Sequence, residues 1–280
     1  MRTRTVLLPI LALLVSAAPA AQAEEGAIDF TFGTGVFYSS GDYGFEDETR
    51  IIEVPFEAIL TTGRFTFSAE VPWLHADGPA DAANATRFGD AATRFPRLAS
   101  LRDPAEDPSV VSGLGDASFA ATARLTPDGS PLWAGLTLMA TAPTGDEDEG
   151  LGTGASDLSA DLALERTLGD FTVHGAAGYV WPGETDAPPP VLQPADLIIS
   201  DYAFASFGAQ YLTLSGQSFG AGAAWTEAAS PDTEDVVEVS LSWAFPVSTG
   251  VRMGTYVAKG MAGDGSDVSA GLRLTFAANN

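Results

Sequence analysis

Nine carboxylates fall at matching positions in short alternating stretches of this 280-residue chain: Asp29, Glu53, Glu57, Glu70, Asp116, Asp157, Asp161, Glu165 and Glu238. Arg64, Arg124, Arg252, Arg273 and His174 share their parity. Residues of one parity face one side of the surface that carries them. An unpaired buried charge costs several kcal/mol, so charges on such a face need partners or water. The chemistry this pattern predicts is selection by charge in a wetted, acid-rich space.

Catalytic chemistry finds few candidates. The only histidines are His75 and His174, and there is no cysteine. His174 reads as a satisfied polar wall residue, and His75 has no serine in the local arrangement that a lipid hydrolase shows. The one Gly-x-Ser-x-Gly string, Gly216-Gln-Ser-Phe-Gly220, runs from a tight connector into a predicted strand and makes no strand-to-helix elbow, and no His-Glu-x-x-His pair is present. Two acidic groups, Asp42, Glu46, Asp47 and Glu48, then Asp146, Glu147, Asp148 and Glu149, offer oxygens suited to Ca²⁺. They lack the spacing of an EF-hand and read as solvated loops, so neither a metal nor a cofactor is expected.

A different cluster is basic. Arg87, Arg94, Arg97 and Arg102 lie within 16 positions, interleaved with Phe88, Phe95, Leu98 and Leu101. Two readings stay open: the segment folds inward as a constriction against the acidic wall, or it stays outside and binds lipopolysaccharide phosphates.

The elements that must position these groups are twelve stretches of period two, near 27–38, 50–61, 64–75, 114–126, 132–142, 156–168, 171–181, 198–212, 217–228, 236–247, 250–260 and 267–276. Most reach the roughly 9 to 11 residues that a tilted strand needs to cross a bilayer. Tight connectors at Thr62-Gly63, Pro127-Asp-Gly129, Gly169-Asp170, Ser215-Gly216 and Ser248-Thr-Gly250 alternate with long ones near 39–48, 76–113, 143–154, 183–196, 229–234 and 262–266. Short turns at one end and long loops at the other are what outer-membrane barrels show.

Alternation alone also fits a soluble β-sandwich. The aromatics separate the two: with the first strand running outward, Tyr38, Trp73, Tyr179, Trp181 and Trp225 fall at the outer rim, and Phe65, Phe171, Phe219, Trp243, Phe245 and Phe276 at the inner rim. Two aromatic girdles emerge from one assignment. Pro55 and Pro72 lie within predicted strands, in Glu53-Val-Pro-Phe56 and Glu70-Val-Pro-Trp73, and predict a bulge at each. Parity near Asp201 to Phe204 is ambiguous.

Residues 1–23 carry Arg2 and Arg4, an apolar run from Val6 to Val15 and the small-residue ending Ala21-Gln-Ala23, the order of a secretory signal peptide. Cleavage there leaves 11 basic against 37 acidic residues, a formal charge of -26, which excludes a nucleic-acid partner. Residues 24–280 then form one barrel domain. With no run of 18 apolar residues beyond the signal, any passage through a bilayer is by strands.

The paired Glu-Val-Pro pieces around Thr62-Gly-Arg-Phe65, then Gly113-Leu-Gly-Asp116, Pro143-Thr-Gly-Asp146 and Leu151-Gly-Thr-Gly154, resemble in order and spacing the bacterial outer-membrane barrels assigned to the meta-pathway of phenol degradation. The resemblance spans most of the mature chain. It implies an outer-membrane channel associated with uptake of small aromatic or other hydrophobic molecules. It also implies contact with outer-membrane lipid and lipopolysaccharide, and with the barrel assembly machinery during insertion. Such barrels usually end on an aromatic; here Phe276 is followed by Ala-Ala-Asn-Asn.

The expectation is thus an all-β, transmembrane antiparallel β-barrel of 12 strands. It is not an enzyme but a passive channel with a narrow bore, the wall charges setting selectivity and Arg87, Phe88, Arg94, Phe95, Arg97 and Arg102 forming the constriction. The alternatives are a barrel that hydrolyses lipid and a structural or adhesive barrel that conducts nothing.

Overall fold

The computed structural model describes residues 28–43, 48–78, 110–147, 149–183, 200–228, 234–263 and 265–278. The strands are β1 (Ile28–Gly41), β2 (Thr49–Thr62), β3 (Phe65–Asp77), β4 (Val111–Leu114), β5 (Ala117–Arg124), β6 (Leu132–Ala142), β7 (Asp157–Leu168), β8 (Phe171–Trp181), β9 (Tyr202–Leu212), β10 (Ser218–Thr226), β11 (Val236–Ser248), β12 (Val251–Ala262) and β13 (Val268–Ala278). Each pairs antiparallel with its neighbours, and β1 pairs with both β2 and β13, so the sheet closes without a free edge. β4 and β5 occupy successive parts of one place beside β3, which makes a closed barrel of 12 strands. The predicted signal segment lies outside the described residues.

Closure leaves no free strand edge in the wall, the condition for β-structure in hydrocarbon. The exposed face carries the apolar parity, for example Val239, Leu241 and Trp243 on β11 and Leu158, Leu162 and Leu164 on β7. At the short-turn end the outward aromatics touch one another: Phe32 with Phe276, Phe171 with Tyr211, and Trp243 with both Phe219 and Phe245. Trp73, Tyr179 and Trp181 stand exposed at the other rim. A glycine in the left-handed region, φ between 55° and 80°, closes each tight connector at Gly63, Gly129, Gly169, Gly216 and Gly250. The parity of β9 resolves with Tyr202 and Phe204 inside and Phe207 and Tyr211 outside.

The β2–β3 pair itself carries no bulge at the prolines, and the irregularity lies on their other sides. Pro55 and Pro72 are direct partners in an unbroken β2–β3 register. Two facing prolines fit a non-hydrogen-bonded pair, in which the missing N–H groups would have pointed away from each other, towards the outer neighbours. The irregularity therefore appears there. The β1–β2 ladder passes over Gly35 and Val36, and the strand beside Pro72 breaks between β4 and β5. There Glu70 pairs with Ser118 but Trp73 pairs with Leu114, so one extra residue is accommodated. Asp116 sits at that break.

Candidate functional site

The inner wall carries buried Glu53, Glu57, Glu70, Asp157, Asp161, Glu165, Glu238 and Arg273. Glu57 and Arg273, 2% and 4% exposed, form an ion pair that spans β1. Gly33 lies beneath it: a Cβ there would come within 2.7 Å of Glu57 Oε2 and 3.3 Å of Arg273 Nη2. Glu70 is the register partner of Glu57. Asp157, near the outer end of β7, accepts the backbone N–H of Gly183 at 2.9 Å. Asp161 accepts from the Thr137 hydroxyl, which also shares a 3.0 Å hydrogen bond with Thr122. Glu165 faces His174 across the β7–β8 pair, and the imidazole lies over Gly208, where any Cβ would collide with it.

The other arginines do not share this middle zone. Arg64 is exposed in the β2–β3 turn rather than on the wall. Arg124 pairs with Asp128 of the following turn, and Arg252 donates to the Gly216 carbonyl at 3.2 Å. Asp29 is also exposed. Arg124 and Arg252 thus lie near the short turns, while Arg273 is paired with Glu57 and the buried carboxylates are spread along the wall from Glu165 to Asp157.

Asp116 is buried and bound on both carboxylate oxygens. One carboxylate oxygen accepts the Gly145 N–H at 2.9 Å, and the other accepts the Thr153 N–H at 2.7 Å and its hydroxyl at 3.0 Å. Thr144 Oγ1 accepts the Ala117 N–H and donates to the Gly115 carbonyl. The two glycine-rich sequence motifs, 113–116 and 143–154, thus form one structure in which the first anchors the second. Asp146 turns its acceptors onto its own loop, taking N–H groups from Glu149, Leu151 and Gly152. Among the described residues no group of three or more His, Asp or Glu side chains converges to hold a metal.

Apolar inward residues, which parity of charge did not reveal, make three patches: Tyr43, Ile51, Leu74, Ala76 and Leu151 with Val111; Val180, Tyr202 and Phe204 with Met139; and Phe37, Tyr256 and Ala258. A sequence signal for them exists. Inward glycines lie beneath the rings, Gly271 under Phe37 and Tyr256, Gly178 under Phe204 and Gly135 under Trp133, with no room for a Cβ. Tyr43 has backbone φ of 49°, and its hydroxyl donates to Ser39 at 2.9 Å. Burial pushes its phenol pKa well above the ordinary value, with the Glu238 carboxylate adding to the rise and the Ser39 bond opposing it.

Outside the barrel, pairing brings Ser112 beside His75, with 2.6 Å between Oγ and Nδ1. The serine that the local sequence lacked arrives from β4, 37 positions on. The imidazole stacks parallel to Trp73. Glu48 and Arg50 pair at 3.2 Å at the same rim. The predicted constriction residues Arg87, Phe88, Arg94, Phe95, Arg97 and Arg102, and the acidic residues Glu46, Asp47 and Asp148, lie outside the described residues.

The barrel has solved counterparts. The COG4313 outer membrane channel from Pseudomonas putida F1 superposes with a TM-score of 0.63 at 13% identity, covering 94% of this chain and all of that one. The KdgM porin gives 0.51 at 7% identity, over 89% and 99% of the two chains, and the CymD monoaromatic hydrocarbon channel gives 0.50 at 14%, over 98% and 94%. These likenesses establish the fold. No functionally curated protein sequence matches the chain. The family model described as "Putative MetA-pathway of phenol degradation" matches residues 43–279. The chain is therefore an outer-membrane β-barrel and belongs to that family.

Proposed function

We propose that this protein is a passive outer-membrane channel for small hydrophobic or aromatic molecules. The observation that carries the reading is the inner wall, where buried carboxylates alternate with patches built from Phe37, Tyr256, Tyr202 and Phe204 inside a closed barrel. A barrel that only anchored or adhered would gain nothing from buried charges, each costly to desolvate. The wall suits molecules that present an apolar body to the aromatic patches and a polar or cationic group to the acids. CymD, with the same fold, is described as a monoaromatic hydrocarbon channel, which agrees with that class.

Reconstitution into planar bilayers tests both parts. The channel should pass cations in preference to anions, because the buried carboxylates of the inner wall outnumber its guanidinium groups. Glu238→Gln combined with Asp161→Asn should move the reversal potential in a salt gradient towards zero. Liposomes holding the protein should take up phenols and fatty acids faster than protein-free ones. Anion preference in the parent would refute the selectivity assignment, and absence of both current and uptake would refute the channel.

One observation favours a second reading, a surface lipid hydrolase: the Ser112–His75 contact at the rim where outer-leaflet esters lie. Against it, Ser112 is the imidazole's only hydrogen-bond partner among the described residues, so no third group orients the base. If the dyad is catalytic, a fluorophosphonate probe labels the parent in vesicles and fails to label Ser112→Ala; an unlabelled parent removes this reading.

A further inference from the structure

Resting on the channel reading, we infer that the loop between β6 and β7 is the lumen's constriction, with Leu151 the side chain that limits what passes. Leu151 belongs to a connector, yet it is only 2% exposed and packs against the inward residues Ile51, Leu74 and Ala76 of β2 and β3. Its Cδ1 lies 2.6 Å from where a Cβ would stand on Gly113, so that glycine makes the seat into which the leucine fits. Tyr43, from the connector between β1 and β2, joins the same cluster. Two outer connectors therefore insert apolar side chains into the bore from above.

The loop is held there rather than lying there by chance. Asp116 takes hydrogen bonds from residues on both sides of Leu151, Gly145 before it and Thr153 after it. The two arms also press together, since a Cβ on Gly152 would stand 2.6 Å from the Gly145 carbonyl and 2.8 Å from Asp116 Oδ1. Asp116 is thus a positioning residue, and the leucine it fixes is an apolar obstacle at the outer end of the wall. Hydrophobic constrictions of this kind resist water and ions while giving way to apolar solutes. Bulk at position 151 should accordingly set an upper size for permeants.

The full mature chain in planar bilayers and liposomes provides the test, with heat-modifiable gel migration reporting that each variant is a folded barrel. Leu151→Ala should raise single-channel conductance about two-fold and speed uptake of bulky phenols more than of phenol itself. Leu151→Met, similar in volume, should match the parent. The chain has no cysteine, so Leu151→Cys gives a thiol reagent one target, and attaching a bulky cationic group there should cut the current. A conducting parent whose folded alanine variant behaves unchanged, or whose cysteine variant reacts without loss of current, overturns the constriction alone. A methionine variant as open as alanine does the same. A parent passing neither ions nor solutes overturns the channel reading and this inference together.

Discussion

Replacing Glu57 with alanine is expected to destabilise the barrel by about 3 kcal/mol, at the low end of what breaking a buried ion pair costs. Arg273 cannot escape to solvent: it is 4% exposed and its guanidinium reaches across β1 to the Glu57 carboxylate. Its remaining contacts temper the loss without replacing a full charge. Urea unfolding followed by tryptophan fluorescence in detergent micelles measures the effect. Replacing both partners, Glu57→Leu with Arg273→Met, removes the stranded charge and should recover most of the stability, since apolar substitutes for a buried pair are often neutral. If the double variant loses the sum of the single losses, the two residues are not energetically coupled. Gly33→Ala probes the same pair from below. Its methyl group would press on Glu57 Oε2 and displace it, at a cost of about 1 to 2 kcal/mol.

Asp116→Ala should release the loop rather than unfold the barrel. The change removes the carboxylate that accepts the Gly145 and Thr153 N–H groups, while the Thr153 hydroxyl keeps the Ala155 carbonyl at 3.1 Å. Each unsatisfied buried donor costs about 1 to 3 kcal/mol, and a connector relieves the penalty by opening locally to water at less cost than the barrel strands would. Hydrogen exchange at Gly145 and Thr153 should accelerate at least about a hundred-fold, the rate equivalent of about 3 kcal/mol, while exchange in β7 and β8 stays slow. Asp116→Asn keeps one acceptor oxygen and should fall between. Unchanged protection at Gly145 and Thr153 would show that the loop is held by something other than this carboxylate.

Both effects concern residues whose face was legible from the chain but whose partners were not. Alternation assigns each strand residue to one of two sides, and apolar aromatics at matching ends assign the outward side to lipid. That argument placed Glu53, Glu57, Glu70, Asp161, Glu165, Glu238 and Arg273 on the inner wall, where they are found buried. It could not show that Asp116 ties down a loop, because the loop residues that donate to it lie 29 and 37 positions away. Nor could it show that Arg64 turns outward at its bend, or that facing prolines shift the irregularity to neighbouring strands.

The amino-acid sequence by itself determined the strand count, the tight turns with their left-handed glycines, the lipid-facing parity and the acid-rich interior. Each of these is a local property, fixed by side-chain alternation and backbone conformation within a dozen residues. Only the tertiary structure decided that Arg273 meets Glu57 across an intervening strand, that Ser112 stands beside His75 and that Leu151 enters the lumen. Those contacts depend on how closure of the sheet staggers one strand against the next, a geometric condition on the whole barrel that no single stretch of residues encodes.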